Sequence, residues 1–191
     1  VDMDSENIAV AVLFGAGLAG TIPALEDAGL AAALASARNT WLAEYCAENP
    51  KRIKGTAALA QQDISASVEE LCRSVKELGF VGASLFPNVK GRHLGDPNYF
   101  PLYAEAEKLN VPICVHMFLG RYGSDATGTE RVDKFFYSHL FGHPFQQMIT
   151  DSQCVGHDGQ SRIYGRARNE ETAIHHVEIV DIVRTAVHVE C

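Results

Sequence analysis

The sequence predicts an α/β fold built on a parallel sheet. Apolar runs of strand length alternate with segments whose apolar residues recur every three or four positions, and short polar connections separate them. The runs are apolar throughout, as expected of strands that helices cover on both faces. A doubly wound open sheet and a (βα)₈ barrel both satisfy this pattern.

The elements follow one another between residues 8 and 117. Buried strands are predicted over residues 8–14, 54–60, 80–86 and 111–117. Helices are predicted between them over residues 22–49, 65–78 and 97–109, with a polar loop over residues 89–96. In the first helix a spacing of three and four predicts a long amphipathic helix. Its apolar positions are Leu30, Ala33, Leu34, Ala37, Trp41, Leu42 and Tyr45.

The regular alternation fades after Met117. Residues 119–131 predict a loop of the kind that often covers an active site. Residues 133–150 predict two short helices that meet at a kink. Residues 151–168 are polar, and residues 173–189 suit either a strand or a helix.

Composition excludes several classes of protein. The net charge of −8 and the absence of a basic run longer than two residues argue against a nucleic-acid surface and suit an enzyme of small metabolites. Five widely spaced cysteines without a C-x-x-C pair argue against a disulfide framework. No apolar run approaches the roughly 20 residues of a membrane helix. A soluble, cytoplasmic protein is therefore expected.

Few side chains stand out as candidates for chemistry. His116 ends the strand predicted over residues 111–117, where parallel sheets place their chemistry, and it suits either a ligand or a structural role. His139 and His143 have the i,i+4 spacing of paired ligands, but Gly142 and Pro144 interrupt that helix.

A glycine-rich motif follows the first predicted strand. Residues 15–20 match G-x-G-x-x-G, the dinucleotide fingerprint. No acidic residue stands at the end of the next predicted strand, where the fingerprint expects one about 20 positions after the motif, because Asp63 follows only after about 43. The match therefore remains weak evidence for nucleotide binding.

Five spaced motifs occur in the order found in one enzyme family. They lie in residues 39–55, 76–82, 87–97, 111–116 and 139–148. Together they resemble the amidohydrolase-related family of metal-dependent hydrolases, which includes aminocarboxymuconate-semialdehyde decarboxylase and several aromatic-acid decarboxylases. The resemblance covers roughly residues 1–150 and leaves residues 151–191 as a divergent extension.

The resemblance implies a (βα)₈ barrel with a divalent metal, usually zinc, at the carboxyl ends of the strands. It implies that His116, at the end of the fifth strand, is a metal ligand and that Asn88, Arg92 and His93 lie near the substrate. The expected reaction is decarboxylation or hydrolysis of a small carboxylated or aromatic substrate, and no catalytic residue is assigned.

The departures from the family pattern are as informative as the matches. The first strand with its metal-binding pair and the aspartate of the last strand have no counterpart, so the chain corresponds to about strands 2 to 5 of a barrel. The alternative is a non-catalytic remnant that acts through self-association, and exposed strand edges predict a homo-oligomer.

Two hypotheses address the last 40 or so residues. Either they are a divergent or frame-shifted extension, or they supply replacement ligands from residues 173–189. The candidate replacement ligands are His175, His176, Asp181 and His188.

Overall fold

The computed structural model describes residues 2–14 and 18–116. The predictions for residues 119–191 lie outside the described residues. Gly15 and Gly17 of the glycine-rich motif also lie outside the described residues. The same holds for the candidate ligands His139, His143, His175, His176, Asp181 and His188.

Seven short strands and five α-helices form the described part. The strands are β1 (Ala11–Leu13), β2 (Ile53–Gly55), β3 (Ala57–Ala58), β4 (Ala83–Leu85), β5 (Asn88–Val89), β6 (Arg92–His93) and β7 (Ile113–Val115). The helices are α1 (Asp2–Ser5), α2 (Leu18–Thr21), α3 (Ala28–Ala47), α4 (Ile64–Lys76) and α5 (Phe100–Leu109), with 3₁₀ turns at Ile22–Ala24 and Pro97–Tyr99.

The strands that alternate with helices pair in parallel and in chain order. β1 pairs with β2, with Ala11 opposite Ile53, and β3 pairs with β4, which pairs with β7. Only Thr56 separates β2 from β3, and its N–H donates to the Leu13 carbonyl at 3.1 Å. Neighbouring strands in chain order suit a barrel, whereas a doubly wound sheet reverses its strand order.

Capped helices cover the sheet. The Asp27 carboxylate accepts a hydrogen bond from the N–H of Leu30 at the start of α3, and Asp63 does the same for Ala66 at the start of α4. The main core lies between the helices and the strands. Its fully buried large residues include Leu71, Leu85, Leu94, Tyr99 and Leu102.

The prediction for the apolar side of α3 is wrong. Of the seven apolar positions expected to form that side, only Leu42 is buried, while Trp41 is 62% exposed and Tyr45 is 52% exposed. The inner side instead consists of Ala31, Ala35, Arg38, Asn39, Leu42 and Cys46. The inward alanines are small, and the polar pair is hydrogen bonded to backbone atoms of Thr56 and Ala58.

The first strand is also less buried than predicted. It spans three residues rather than seven, Val12 is 41% exposed, and within the described part β1 pairs with β2 alone. A strand covered on both faces would bury that valine. Among the described residues, no helix combines the length and apolar character that crossing a bilayer requires.

Candidate metal and substrate site

His116 lies at the carboxyl end of the sheet. It follows β7 directly, and its N–H donates to the Leu85 carbonyl at 2.8 Å, which continues the ladder between β4 and β7. The imidazole centroid is 6.0 Å from that of Phe86, nearly edge-on, and 6.4 Å from that of Phe14. The side chain thus sits among residues that leave three parallel strands at one edge.

The other predicted site residues lie on a hairpin. The loop expected over residues 89–96 contains the antiparallel strands β5 and β6, with Asn88 opposite His93. Lys90 and Gly91 form the turn with φ of 53° and 75°, and two consecutive positive φ angles are the geometry of a tight two-residue hairpin turn. The hairpin therefore holds Asn88, Arg92 and His93 together just after β4.

Two polar atoms of this hairpin are buried without a hydrogen-bond partner among the described residues. They are Oδ1 of Asn88, whose side chain is 3% exposed, and Nδ1 of His93. A buried polar atom left unsatisfied costs about 1–3 kcal/mol, so such atoms usually find a partner in protein, water or ligand. Asn88 and His93 thus present a hydrogen-bond acceptor and an imidazole nitrogen to a further group.

Arg92 forms no ion pair with any residue in the described part of the chain. Burial raises the pKa of the Tyr99 phenol, and the hydrogen bond with Gln61 and the positive charge of Arg92 oppose that rise. Without an ion-pair partner among these residues, the Arg92 guanidinium keeps its capacity to bind a carboxylate.

The described residues fit a metal ion only in part. Within residues 2–14 and 18–116, no group of three or more His, Cys, Asp and Glu side chains is close enough to hold one. A catalytic zinc takes three protein ligands. His116 offers one donor, and its role as a ligand stays a prediction.

The described cysteines are unremarkable thiols. Burial raises the pKa of Cys114 in β7 to about 11, so its thiol is protonated at neutral pH. Cys46 is also buried, while Cys72 is half-buried in α4. Their burial is typical of cysteines that fill small apolar spaces in a core.

A pocket of about 350 Å³ lies elsewhere, between α3 and α4. Alanines line it together with Ser36, Glu69, Glu70 and Arg73. Glu70 and Arg73 are already paired with each other at 2.8 Å, and none of the predicted site residues lines this pocket. The site at His116 and the hairpin therefore stays a prediction that this pocket does not address.

Two glutamines at the exit of β3 form contacts with backbone groups that sequence reasoning missed. Gln61 is buried and its amide bonds to the backbone of Phe86, while Gln62 Nε2 donates to the carbonyls of Ile22 and Leu25. The only sequence signal was the polar exit of this strand, which does not distinguish a solvated end from a buried contact.

Comparison with known proteins identifies relatives of one enzyme family. The model of the family described as "Amidohydrolase" matches residues 8–153. The chain is 31% identical over 143 residues to 2-amino-3-carboxymuconate-6-semialdehyde decarboxylase of Dictyostelium discoideum, covering 67% of this chain and 38% of that protein. It is 40% identical over 123 residues to gamma-resorcylate decarboxylase of Rhodococcus jostii, covering 60% of this chain and 37% of that protein.

A solved relative has a similar fold. Dihydroxybenzoic acid decarboxylase of Polaromonas, crystallised with manganese and the inhibitor 2-nitroresorcinol, superposes with a TM-score of 0.66 at 27% identity and covers 79% of this chain and 46% of that one. The chain thus spans less than half the length of these relatives. The predicted fold class, the parallel (βα) units of part of a TIM-type barrel, is confirmed.

Proposed function

This chain belongs to the amidohydrolase family, and we propose that it serves metal-dependent decarboxylation of a small aromatic or otherwise carboxylated substrate. Hydrolysis of such a substrate is the second reaction that the family implies, and the decarboxylases among its relatives favour the first. We propose the predicted unit of residues 1–150 as the catalytic segment.

The position of His116 carries this proposal. An imidazole at the carboxyl end of β7 suits a divalent metal, and the manganese of the Polaromonas relative makes that ion a candidate alongside the expected zinc. When bound, such an ion acts as a Lewis acid that polarises substrate oxygens. The remaining ligands would come from outside the described residues.

The hairpin supplies the proposed substrate contacts. Arg92 would pair with the substrate carboxylate, Asn88 Oδ1 would accept a hydrogen bond from a substrate hydroxyl, and His93 Nδ1 would bond to a neighbouring polar group. The lack of described partners for these two buried atoms supports this assignment. Burial of Asn88 would strengthen its contact, because the local dielectric constant is low.

Metal titration tests the proposed role of His116. Chelator-treated full-length chain is titrated with Mn²⁺ or Zn²⁺ and followed by calorimetry. One ion per chain is expected, and His116→Gln should weaken binding by more than about tenfold, since even outer-shell changes cost about 10–100-fold. His93→Gln is the matched control and should leave affinity unchanged. No binding by the wild type, or equal binding by His116→Gln, contradicts the proposal.

Ligand binding tests the hairpin. Gamma-resorcylate is titrated into the metal-loaded chain and followed by saturation-transfer NMR. Arg92→Gln should weaken binding about tenfold or more, because a hydrogen bond to a charged group contributes about 1.5–3 kcal/mol. Lys108→Gln, which removes one charge from the exposed side of α5, is the control. Equal affinity in both variants would show that Arg92 does not contact the ligand. In a separate activity assay, release of CO₂ would distinguish decarboxylation from hydrolysis.

Self-association without catalysis is the second candidate. Its support is the exposed apolar surface of Val12 on β1 and of the stacked pair Trp41 and Tyr45 on α3. Sedimentation of the metal-free chain should then show a homo-oligomer that Trp41→Ser dissociates and Phe100→Ser, another exposed aromatic, does not. A monomer that binds metal rejects this candidate.

A further inference from the structure

The buried amide of Gln61 is hydrogen bonded to the backbone of Phe86, directly after β4. Its side chain is 1% exposed, and its Oε1 accepts a hydrogen bond from the Phe86 N–H at 2.7 Å. Its Nε2 donates to the Phe86 carbonyl at 2.9 Å, and the same nitrogen lies 3.3 Å from the Tyr99 hydroxyl. One carboxamide thus supplies both the acceptor and the donor that a neighbouring strand would give to Phe86.

We call these two hydrogen bonds between Gln61 and the Phe86 backbone the Gln61 clamp. The clamp acts at Phe86, whose ring contacts the candidate metal ligand His116. β3 ends at Ala58, so it does not reach far enough to pair with Phe86. On the opposite side of β4, the Leu85 carbonyl accepts the N–H of His116. Gln61 therefore fixes the backbone that carries the Phe86 ring, and that ring packs edge-on against the His116 imidazole at 6.0 Å.

We propose that Gln61 is a positioning residue that sets the orientation of the His116 imidazole through Phe86. The proposal rests on the function proposed above for His116, and it assigns Gln61 no contact with substrate or metal. Losing the clamp frees the Phe86 backbone after Leu85, and the ring then loses its fixed place beside the imidazole. The Phe86 backbone also leads into Pro87 and Asn88, so the same clamp holds the start of the hairpin.

A second buried amide in the same layer provides a matched control. Asn39 on α3 bonds to both backbone groups of Ala58, with Nδ2 to the carbonyl and Oδ1 from the N–H at 2.9 Å each. Ala58 carries only a methyl group and lies opposite Ser84 of β4, two residues before Phe86. Removing this clamp should destabilise the fold without reorienting His116, which separates a positioning role from a purely structural one.

The readout is the NMR spectrum of the His116 imidazole in the full chain labelled at histidine. Its Cε1–Hε1 signal is assigned as the one that His116→Gln removes, and the Phe86 ring current makes its position sensitive to their contact. Gln61→Met should shift this signal. Asn39→Leu should leave it at its wild-type position, even where urea denaturation shows an equal or larger loss of stability.

Gln61→Glu adds a reversible test should Gln61→Met fail to fold. A protonated carboxyl accepts from the Phe86 N–H and donates to its carbonyl, as the amide does, whereas a carboxylate has no donor. The shift from wild type, compared at equal pH, should therefore shrink as the pH falls. An unmoved His116 signal in both Gln61 variants, or an equal shift in Asn39→Leu, overturns the proposal.

Metal affinity distinguishes a failure of the proposed function from a failure of the positioning role of Gln61. If the wild type binds Mn²⁺, Gln61→Met should weaken binding by about tenfold or more, as for groups that orient a metal ligand. If the wild type binds no Mn²⁺, the proposed function fails, while the NMR comparison still decides whether Gln61 orients His116. Binding with unchanged affinity and an unmoved signal rejects the role of Gln61 alone.

Discussion

Glu70→Gln should destabilise the fold in a way that depends on pH. The Glu70 carboxylate, only 12% exposed, lies where α3, α4 and β3 meet. It accepts a hydrogen bond from Asn39 Nδ2 at 2.8 Å and two from the Arg73 guanidinium at 2.8 and 2.9 Å. Because Asn39 also holds the backbone of Ala58, the carboxylate supports the contact between α3 and the sheet.

The expected loss at neutral pH is about 1–2 kcal/mol of unfolding free energy. The pair with Arg73 is partly exposed and should contribute less than about 1 kcal/mol. The bond from Asn39 is buried and charge-assisted, which makes it the larger part at about 1.5 kcal/mol. Glutamine keeps one acceptor for Asn39, so the substitution removes the charge rather than every bond.

The pH dependence has a definite sign. Burial acts to raise the pKa of Glu70, but the hydrogen bonds from Arg73 and Asn39 outweigh it and hold the pKa below its usual value. A carboxyl with a lowered pKa in the folded state stabilises fully above its unfolded pKa, about 4.3 for Glu. That contribution is lost as the pH falls through the folded value, so the difference between wild type and Glu70→Gln should shrink in acid.

Urea denaturation followed by far-ultraviolet circular dichroism measures this difference at pH 7 and at a series of lower pH values. Glu105→Gln removes the carboxylate of a pair with the same i,i+3 spacing, formed with the exposed Lys108. It should cost no more than about 0.5 kcal/mol. The reasoning is refuted if Glu70→Gln matches this control at pH 7, or if its effect stays constant down to acid pH.

Two further substitutions test the packing beneath the site. Gly55→Ala places a Cβ 2.7 Å from the Phe80 ring and 2.9 Å from Leu42 Cδ2, so overpacking should cost about 1–3 kcal/mol in urea denaturation. Tyr103→Phe removes the hydroxyl that donates to the buried Leu94 carbonyl at 2.6 Å, and thermal unfolding should show a loss of about 1–2 kcal/mol.

Both tests have controls within the chain. Gly29→Ala lies in the first turn of α3, where its Cβ would approach only the Asp27 carboxylate, at 3.3 Å, and alanine favours the helix by up to about 1 kcal/mol. Tyr45→Phe changes an exposed ring and should be neutral. Equal losses in the test and control variants would contradict the packing argument.

The order of strands and helices followed from local signals. A helix buried on one side has apolar residues every three or four positions, and a strand covered on both faces is a continuous apolar run. Both patterns are visible in residues 53–115. The strand ends were less predictable, because they depend on pairing. Residues 8–14 are apolar throughout, yet only Ala11–Leu13 pair with β2.

The side of α3 that faces the sheet could not be predicted from the sequence. Alanine and leucine occur on nearly every side of this helix, so apolar spacing cannot select which side faces the sheet. The deciding contacts are those of Arg38 and Asn39 with the backbone of Thr56 and Ala58, which lie 18 and 19 residues away in sequence. Such partners become known only when the strands are placed.

The same reasoning separates the two kinds of polar residue found at the ends of these strands. His116 and Gln61 both follow apolar runs, and the sequence marks each only as the polar exit of a strand. The side chain of Gln61 bonds to the Phe86 backbone, because β3 ends too early to pair with it. The His116 imidazole instead neighbours the rings of Phe86 and Phe14. Strand register therefore decides that Gln61 completes the hydrogen bonding at the end of β4, while the role of His116 as a ligand stays a prediction.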